Sequence, residues 1–179
     1  MKVAIVAPLV SPIREPQLGG SQAFLRELAL GLAARGNEVH LYAASGSQVP
    51  GVQVIDAGVD HRDLEATLFR RDGAADGKPS VASHAFARVY ALVRESRYDV
   101  VHNHAFDAPA VTMASNLYAP IVHTIHLPRD RDVADALREA VRADRAPTVA
   151  CVSVDQANAW RKVVPVAAIL PPYLSLIHI

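Results

Sequence analysis

The chain has 179 residues and a mass of 19.2 kDa, enough to bury roughly 70% of its unfolded surface around one core. Apolar residues make up 51%, which excludes wholesale disorder, and 18 basic residues balance 18 acidic ones, which excludes the basic excess of a general nucleic-acid binder. One cysteine, Cys151, excludes an internal disulfide framework and a four-cysteine zinc site.

Short apolar runs alternate with helical patterns along the chain. Residues 2–8, KVAIVAP, read as a first strand. A signal peptide is the competing reading, but Pro8 interrupts the run and SPIREPQ stands where a small-residue cleavage site is needed, so the expectation is a cytoplasmic protein. Residues 21–35 place Phe24, Leu25, Leu28, Ala29 and Leu32 on one helical face, with Ser21 expected to cap the helix and Gly36 to end it. Strands are expected at 38–44 and 52–55, a short helix at 61–71, and a loop at 72–79, DGAADGKP.

A helix from Ser83 to Ser96 leads to a buried strand at 99–103. Residues 107–117 suit a helix capped by Asp107, and 120–125 suit the next strand. A helix over 132–144 turns Val133, Leu137, Ala140 and Val141 inward. Strand 148–153, a helix over 154–163 capped by Ser153, and a last strand at 166–170 complete the series. Cys151 and Trp160 read as packing residues. Even the longest apolar runs, such as 163–170, are far shorter than the roughly 20 residues of a membrane-spanning helix.

Continuous apolar strands imply a sheet covered on both faces, and strand–helix alternation implies right-handed crossovers. The expected fold is therefore α/β, a Rossmann-like doubly wound parallel sheet of six or seven strands with the first strand central. In such sheets ligands bind beyond the carboxyl ends of the strands. That rule directs attention to 8–20, 43–51, 103–107, 126–131 and 153–155.

The first of these loops is long and ends in Gly19-Gly20 at a helix start. Two residues without side chains allow a tight turn. They equally allow a phosphate to approach backbone N–H groups at the positive end of a helix. The segment is neither GxGxxG nor a Walker loop with its lysine, and no GxSxG elbow is present.

Four of the eight histidines fall within 25 residues: His102, His104, His123 and His126. The HNH triplet puts His102 and His104 on one face of an extended segment. With a further histidine and Asp107 they could assemble a metal site. The spacing of His123 and His126 argues against it, because the two should point apart. His102 and His123 read as hydrogen-bonded residues at the sheet's end. His126 lies past its strand, before Leu127-Pro128, and is the one placed to face a ligand. Asp107 reads as a helix cap before it reads as a base.

The segments 1–44, YDVVHNHAFDAPAV, PIVHTIHLP and VACVSVDQANAW, in that order and spacing, resemble the N-terminal half of nucleotide-sugar glycosyltransferases of the GT-B fold, family 4. The resemblance extends to about Leu170. It implies the acceptor-side, Rossmann-like domain of a two-domain retaining enzyme that uses no metal or cofactor. It implies that Gly19 and Gly20 face the donor diphosphate, and that His126, in the family's T-x-H, lies near the transferred sugar as the catalytic candidate. It also implies that His104 and Asp107 line the acceptor side of the cleft. The partners would be a nucleotide-sugar donor, an acceptor that the sequence does not name, and a second domain. Nucleic acid is not expected as a partner, and peripheral membrane contact is left open. The family's donor-binding Arg and Lys and its paired glutamates follow the interdomain hinge, which the resemblance sets after the ILP at 169–171. Residues 1–173 are thus expected to form the acceptor-side domain without its donor-binding partner, inactive alone. Residues 174–179, LSLIHI, depart from the pattern and read as a non-native tail resembling a translated library adapter.

Two other readings compete with the transferase fragment. One is a metal-dependent hydrolase built on His102, His104, His123 and His126. The other is a non-catalytic module that binds a nucleotide or a partner.

Overall fold

The computed structural model describes residues 1–17, 19–62, 80–143 and 146–170. In chain order the described elements are β1 (Lys2–Val6), α1 (Gly20–Ala34), β2 (Glu38–Ala43), β3 (Gln53–Asp56), α2 (Val81–Glu95), β4 (Val100–Asn103), α3 (Ala108–Ala114), β5 (Ile121–Ile125), α4 (Arg131–Arg142), β6 (Thr148–Cys151), α5 (Val154–Trp160) and β7 (Ala168–Ile169). Beyond Arg62, the expected helix at 61–71 lies outside the described residues, as do the expected loop at 72–79 and the tail at 174–179.

The seven strands form one sheet in the order β3-β2-β1-β4-β5-β6-β7, every pair parallel. β1 is interior, flanked by β2 and β4, and β4 occupies the middle place. The chain winds outward from β1 to β3, then crosses back and winds the other way from β4. The switch point therefore falls between β1 and β4, beyond whose carboxyl ends ligands bind in sheets of this kind.

The pleat sorts the core into two faces. Val3 and Ile5 of β1 and Val39 and Leu41 of β2 pack against Leu25 and Ala29 of α1. On the other face, Ala4, Val6, Tyr42 and Val101 pack against Phe86, Val89, Tyr90 and Val93 of α2. That face continues under α3, α4 and α5, where Ile125, Val149 and Cys151 meet Val111, Leu137 and Trp160. Each such large side chain contributes about 1.5–3 kcal/mol by leaving water. Helices thus cover both faces, but unequally: α1 alone of the described helices packs on the first. The connection from β2 to β3 is a turn without a helix.

Several local expectations are corrected. Ser21 does not cap α1. The helix starts one residue earlier, Gly19 is the N-cap residue, no side chain caps the end, and the Ser21 hydroxyl bonds Gln22 Oε1 instead. Gly36 does end α1: at φ +80° it lets Asn37 N–H reach Leu32 O while its own N–H bonds Ala33 O. α2 begins at Val81 because Ser80 Oγ accepts from Ser83 N–H at 3.1 Å. α3 is shorter than expected, and Asp107 occupies its N-cap position without a side-chain hydrogen bond. α4 is capped by Asp130, whose carboxylate accepts from the N–H groups of Asp132 and Val133, and Val141 is exposed rather than inward. β1 and β6 stop at Val6 and Cys151, short of the expected ends, and β7 is only two residues long. α5 ends at Trp160, short of 163, with Ser153 Oγ accepting from Gln156 N–H as expected of a cap.

The long loop after β1 is built rather than loose. Leu9 and Ile13 are fully buried. Ile13 N–H bonds Ser47 Oγ, and Gln48 N–H bonds Ile13 O, so the loop is knitted to the turn after β2. Gln22 of α1 reaches back to Ser11. These contacts fix the entry to α1 at the carboxyl edge of the sheet.

Candidate functional site

β4 delivers the first two groups. Its register against β1 pairs Ile5 with His102, so His102 shares the face packed by α1. His104, two residues on, keeps that face, and its N–H extends the ladder to Val6 O at 2.8 Å. The two imidazoles lie 4.0 Å apart, centroid to centroid. His102 Nε2 is 2.7 Å from Thr124 Oγ1 on the adjacent strand β5, which holds the lower ring in place. His104 is fully buried.

His126 follows β5 on the same face. Its Nε2 is 2.9 Å from His104 Nδ1. The Phe24 ring of α1 meets both imidazoles, at 5.7 Å from His104 and 5.5 Å edge-on to His126. Phe24 stands one helical turn beyond Gly20, so the helix whose first turn is Gly19-Gly20 packs directly on the histidine pair. Gly19 and Gly20 are exposed, and a Cβ on Gly20 would meet nothing within 4 Å. Neither glycine needs a positive φ. Open space lies over Gly20, whereas a Cβ on Gly19 would meet Gln22 Oε1 at 2.8 Å; the backbone conformation requires glycine at neither position.

Burial sets the electrostatics. It pushes His102 and His126 down to about 4, with His126 adding to the effect on His102. His104 lies well below the ordinary imidazole range, first through burial and then through His102, His126 and His123. The cluster is neutral at neutral pH and can give or take hydrogen bonds without carrying charge. Asp107 moves the opposite way: burial raises its carboxyl to about 6. Its side chain bonds neither the start of α3 nor the histidines. It is a poorly solvated carboxyl beyond β4, three residues after His104.

His123 is not part of this group. It falls on the opposite face, where its Nδ1 is 2.9 Å from Asn103 Nδ2. Asn103 Oδ1 accepts from Tyr90 Oη–H and Ala105 N–H, and Nδ2 also donates to Ala105 O. Asn103 thus pins the turn that carries His104 from beneath. Among the described residues no three His, Cys, Asp or Glu side chains form a group fit to hold a metal. Cys151 is buried in the core below α4 and α5, not at this edge.

Three contributors escape sequence reading. Phe24 was expected in the core and instead walls the histidine pair. Thr124 orients His102. Gln156 of α5 donates from Nε2 to the main-chain oxygen of His126 at 2.9 Å. Beyond His126, Arg129, Arg131 and Arg138 line a cavity of about 260 Å³ with Ala134. Arg138 and, more loosely, Arg131 engage Asp135. Arg129 has no ion pair among the described residues.

A seven-stranded parallel sheet with its polar cluster at the switch point is a Rossmann-like, doubly wound fold. The family model described as Glycosyltransferase Family 4 matches residues 18–171. The chain belongs to glycosyltransferase family 4. It is 32% identical over 133 residues to the D-inositol 3-phosphate glycosyltransferase of Mycobacterium avium (strain 104), covering 70% of this chain and 31% of that protein. The same identity and extent hold for the D-inositol 3-phosphate glycosyltransferase of Mycobacterium tuberculosis (strain ATCC 25177 / H37Ra), of which 28% is covered. Among solved structures, sucrose-phosphate synthase from Thermosynechococcus elongatus superposes with a TM-score of 0.61 at 14% identity, over 95% of this chain and 47% of that one. The Streptomyces sp. SF2575 glycosyltransferase SsfS6 gives 0.54 at 15% identity, over 85% and 50%. The chain therefore spans less than a third of these curated relatives and about half of these structures. No helix among the described residues is long and apolar enough to cross a membrane.

Proposed function

We propose that this chain is the acceptor-side domain, residues 1–173, of a retaining hexosyltransferase that works in the cytoplasm with a nucleotide-sugar donor. The donor-binding domain lies outside this chain, and the chain does not transfer sugar alone. In this reading His126 lies beside the transferred sugar. The uncapped start of α1 at Gly19-Gly20 faces the donor diphosphate, where backbone N–H groups and the helix dipole favour negative charge. His104 supports His126, and Asp107 accepts a hydroxyl proton of the acceptor in a hydrogen bond.

The observation that carries the reading is convergence. His104, His126 and the first turns of α1 come from three distant stretches of sequence and meet through Phe24 at the carboxyl edge of β1, β4 and β5. A neutral imidazole is suited to hydrogen-bond a sugar hydroxyl without competing for the diphosphate charge. The names of the mycobacterial relatives include a phosphate-bearing polyol. The arginine-lined cavity three residues past His126 supports an anionic acceptor here too, since guanidinium groups match phosphate geometry.

The test is donor consumption. A panel of nucleotide sugars is offered to the 179-residue chain and to a protein in which it is joined to a family 4 donor domain, with phosphorylated and unphosphorylated polyols as acceptors. Transfer by the joined protein, none by the chain, and preference for the phosphorylated acceptor are expected. Transfer by the chain alone overturns the half-enzyme reading.

A further inference from the structure

We propose that Gln156 is the positioning residue of His126, an inference that rests on the role given to His126 above. His126 lies past the end of β5, where among the described residues no ladder bond fixes its backbone. Its ring is held at one point, by His104 Nδ1. Its main chain is held at a second, by the carboxamide of Gln156, 30 residues later. Two fixed points turn the imidazole toward α1, where Phe24 closes on it.

Gln156 is itself fixed. Its N–H is taken by Ser153 Oγ at 3.2 Å, and its Oε1 accepts from Val152 N–H at 3.4 Å. One side chain thus ties the exit of β5 to the exit of β6 and the start of α5. Among the described residues, no other side chain bonds the main chain of 126–129. Asparagine is one methylene shorter and cannot span the same gap. Gln156 is only half-buried, so its replacement leaves the core intact while releasing the loop. A displacement on the order of 1 Å at a reacting group can lower turnover by about 100-fold.

The experiment follows the imidazole nitrogens of His126 by NMR in the full 179-residue chain, assigned by their loss in His126→Ala. In the parent chain they titrate near 4, where burial holds the group. Gln156→Met keeps the stem and removes the donor, and Gln156→Ala removes both. Each is expected to raise the midpoint by at least about one unit toward the ordinary 6.5 as the ring swings into water, and to erase the hydrogen-bonded signal shared with His104. Gln156→Lys restores a donor of similar reach and is expected to return both signals toward the parent. The Trp160 indole resonance, from the same helix, reports that the fold is kept. An unchanged His126 midpoint and signal in Gln156→Met and Gln156→Ala overturns the proposal. If these variants release His126 while His126→Ala keeps full activity in the joined protein, the positioning role stands and the catalytic reading falls.

Discussion

The Nδ1 atom of His104 and the Nε2 atom of His126 lie 2.9 Å apart, joined across 22 residues of chain. At that distance the two neutral rings share one proton, one nitrogen donating and the other accepting. Protonating both rings would set two donors against each other. The pair is therefore a neutral device, and the fold beneath it depends on that neutrality.

Stability should fall as pH drops below about 6.5. Burial lowers His102, His104, His123 and His126, so the unfolded chain takes up protons before the folded one does. Each group contributes stability that is present above the unfolded value and lost as pH falls toward the folded value. At pH 5.5 unfolding should bind about three protons more than at pH 8. Urea denaturation at a series of pH values gives this number from the slope. A flat profile between pH 7.5 and 5 contradicts the buried, neutral cluster.

Asp107 should act with the opposite sign. Its carboxyl is raised to about 6 by burial, so the folded state favours the protonated acid. The penalty appears as pH rises from about 4 through 6. Asp107→Asn should stabilise the chain at pH 7.5, on the order of 1–2 kcal/mol after solvent screening, and leave it unchanged near pH 3.5. If the carboxyl binds an acceptor hydroxyl, the same variant should raise the acceptor KM in the joined protein more than the donor KM.

Asn103→Ala should cost about 3 kcal/mol or more, because it strands Tyr90 Oη, the Ala105 main chain and His123 Nδ1 in a buried site. His102→Ala should cost about 2–3 kcal/mol, by leaving Thr124 Oγ1 unpaired and a gap beneath His104. Asn116→Ala, in the exposed turn just past α3, should stay within about 0.5 kcal/mol. Thermal unfolding at pH 7.5 separates the three.

The layered fold was legible because apolar runs and helical periods are local. The run at 3–7 is apolar on both faces, and Leu25 and Ala29 recur at helical spacing. Strand pleat also put His102 and His104 on one face, where their rings lie 4.0 Å apart. What the sequence hid lies past the pleat's reach. His126 sits beyond its strand end, where no period sets direction, so its contact with His104 depended on the course of the chain past β5. Phe24 looked like core because it shares a helical face with Leu25, Leu28 and Leu32; in the structure its ring meets His104 and His126 instead. Gln156 carried no signal at all, since its partner is a backbone oxygen. Ser21 misled because a serine near a helix start resembles a cap even when the helix has already begun.

The most direct measurement is turnover of His126→Ala against the parent in the joined two-domain protein, with substrate saturating and the fold checked by thermal unfolding. The account predicts a loss of at least about 100-fold in kcat, the scale of removing one preorganised group from a reacting centre. It also predicts a far smaller kcat change for Ala in place of His123, on the opposite face of the sheet. Undiminished kcat in His126→Ala contradicts the central claim that this imidazole lies beside the sugar being transferred.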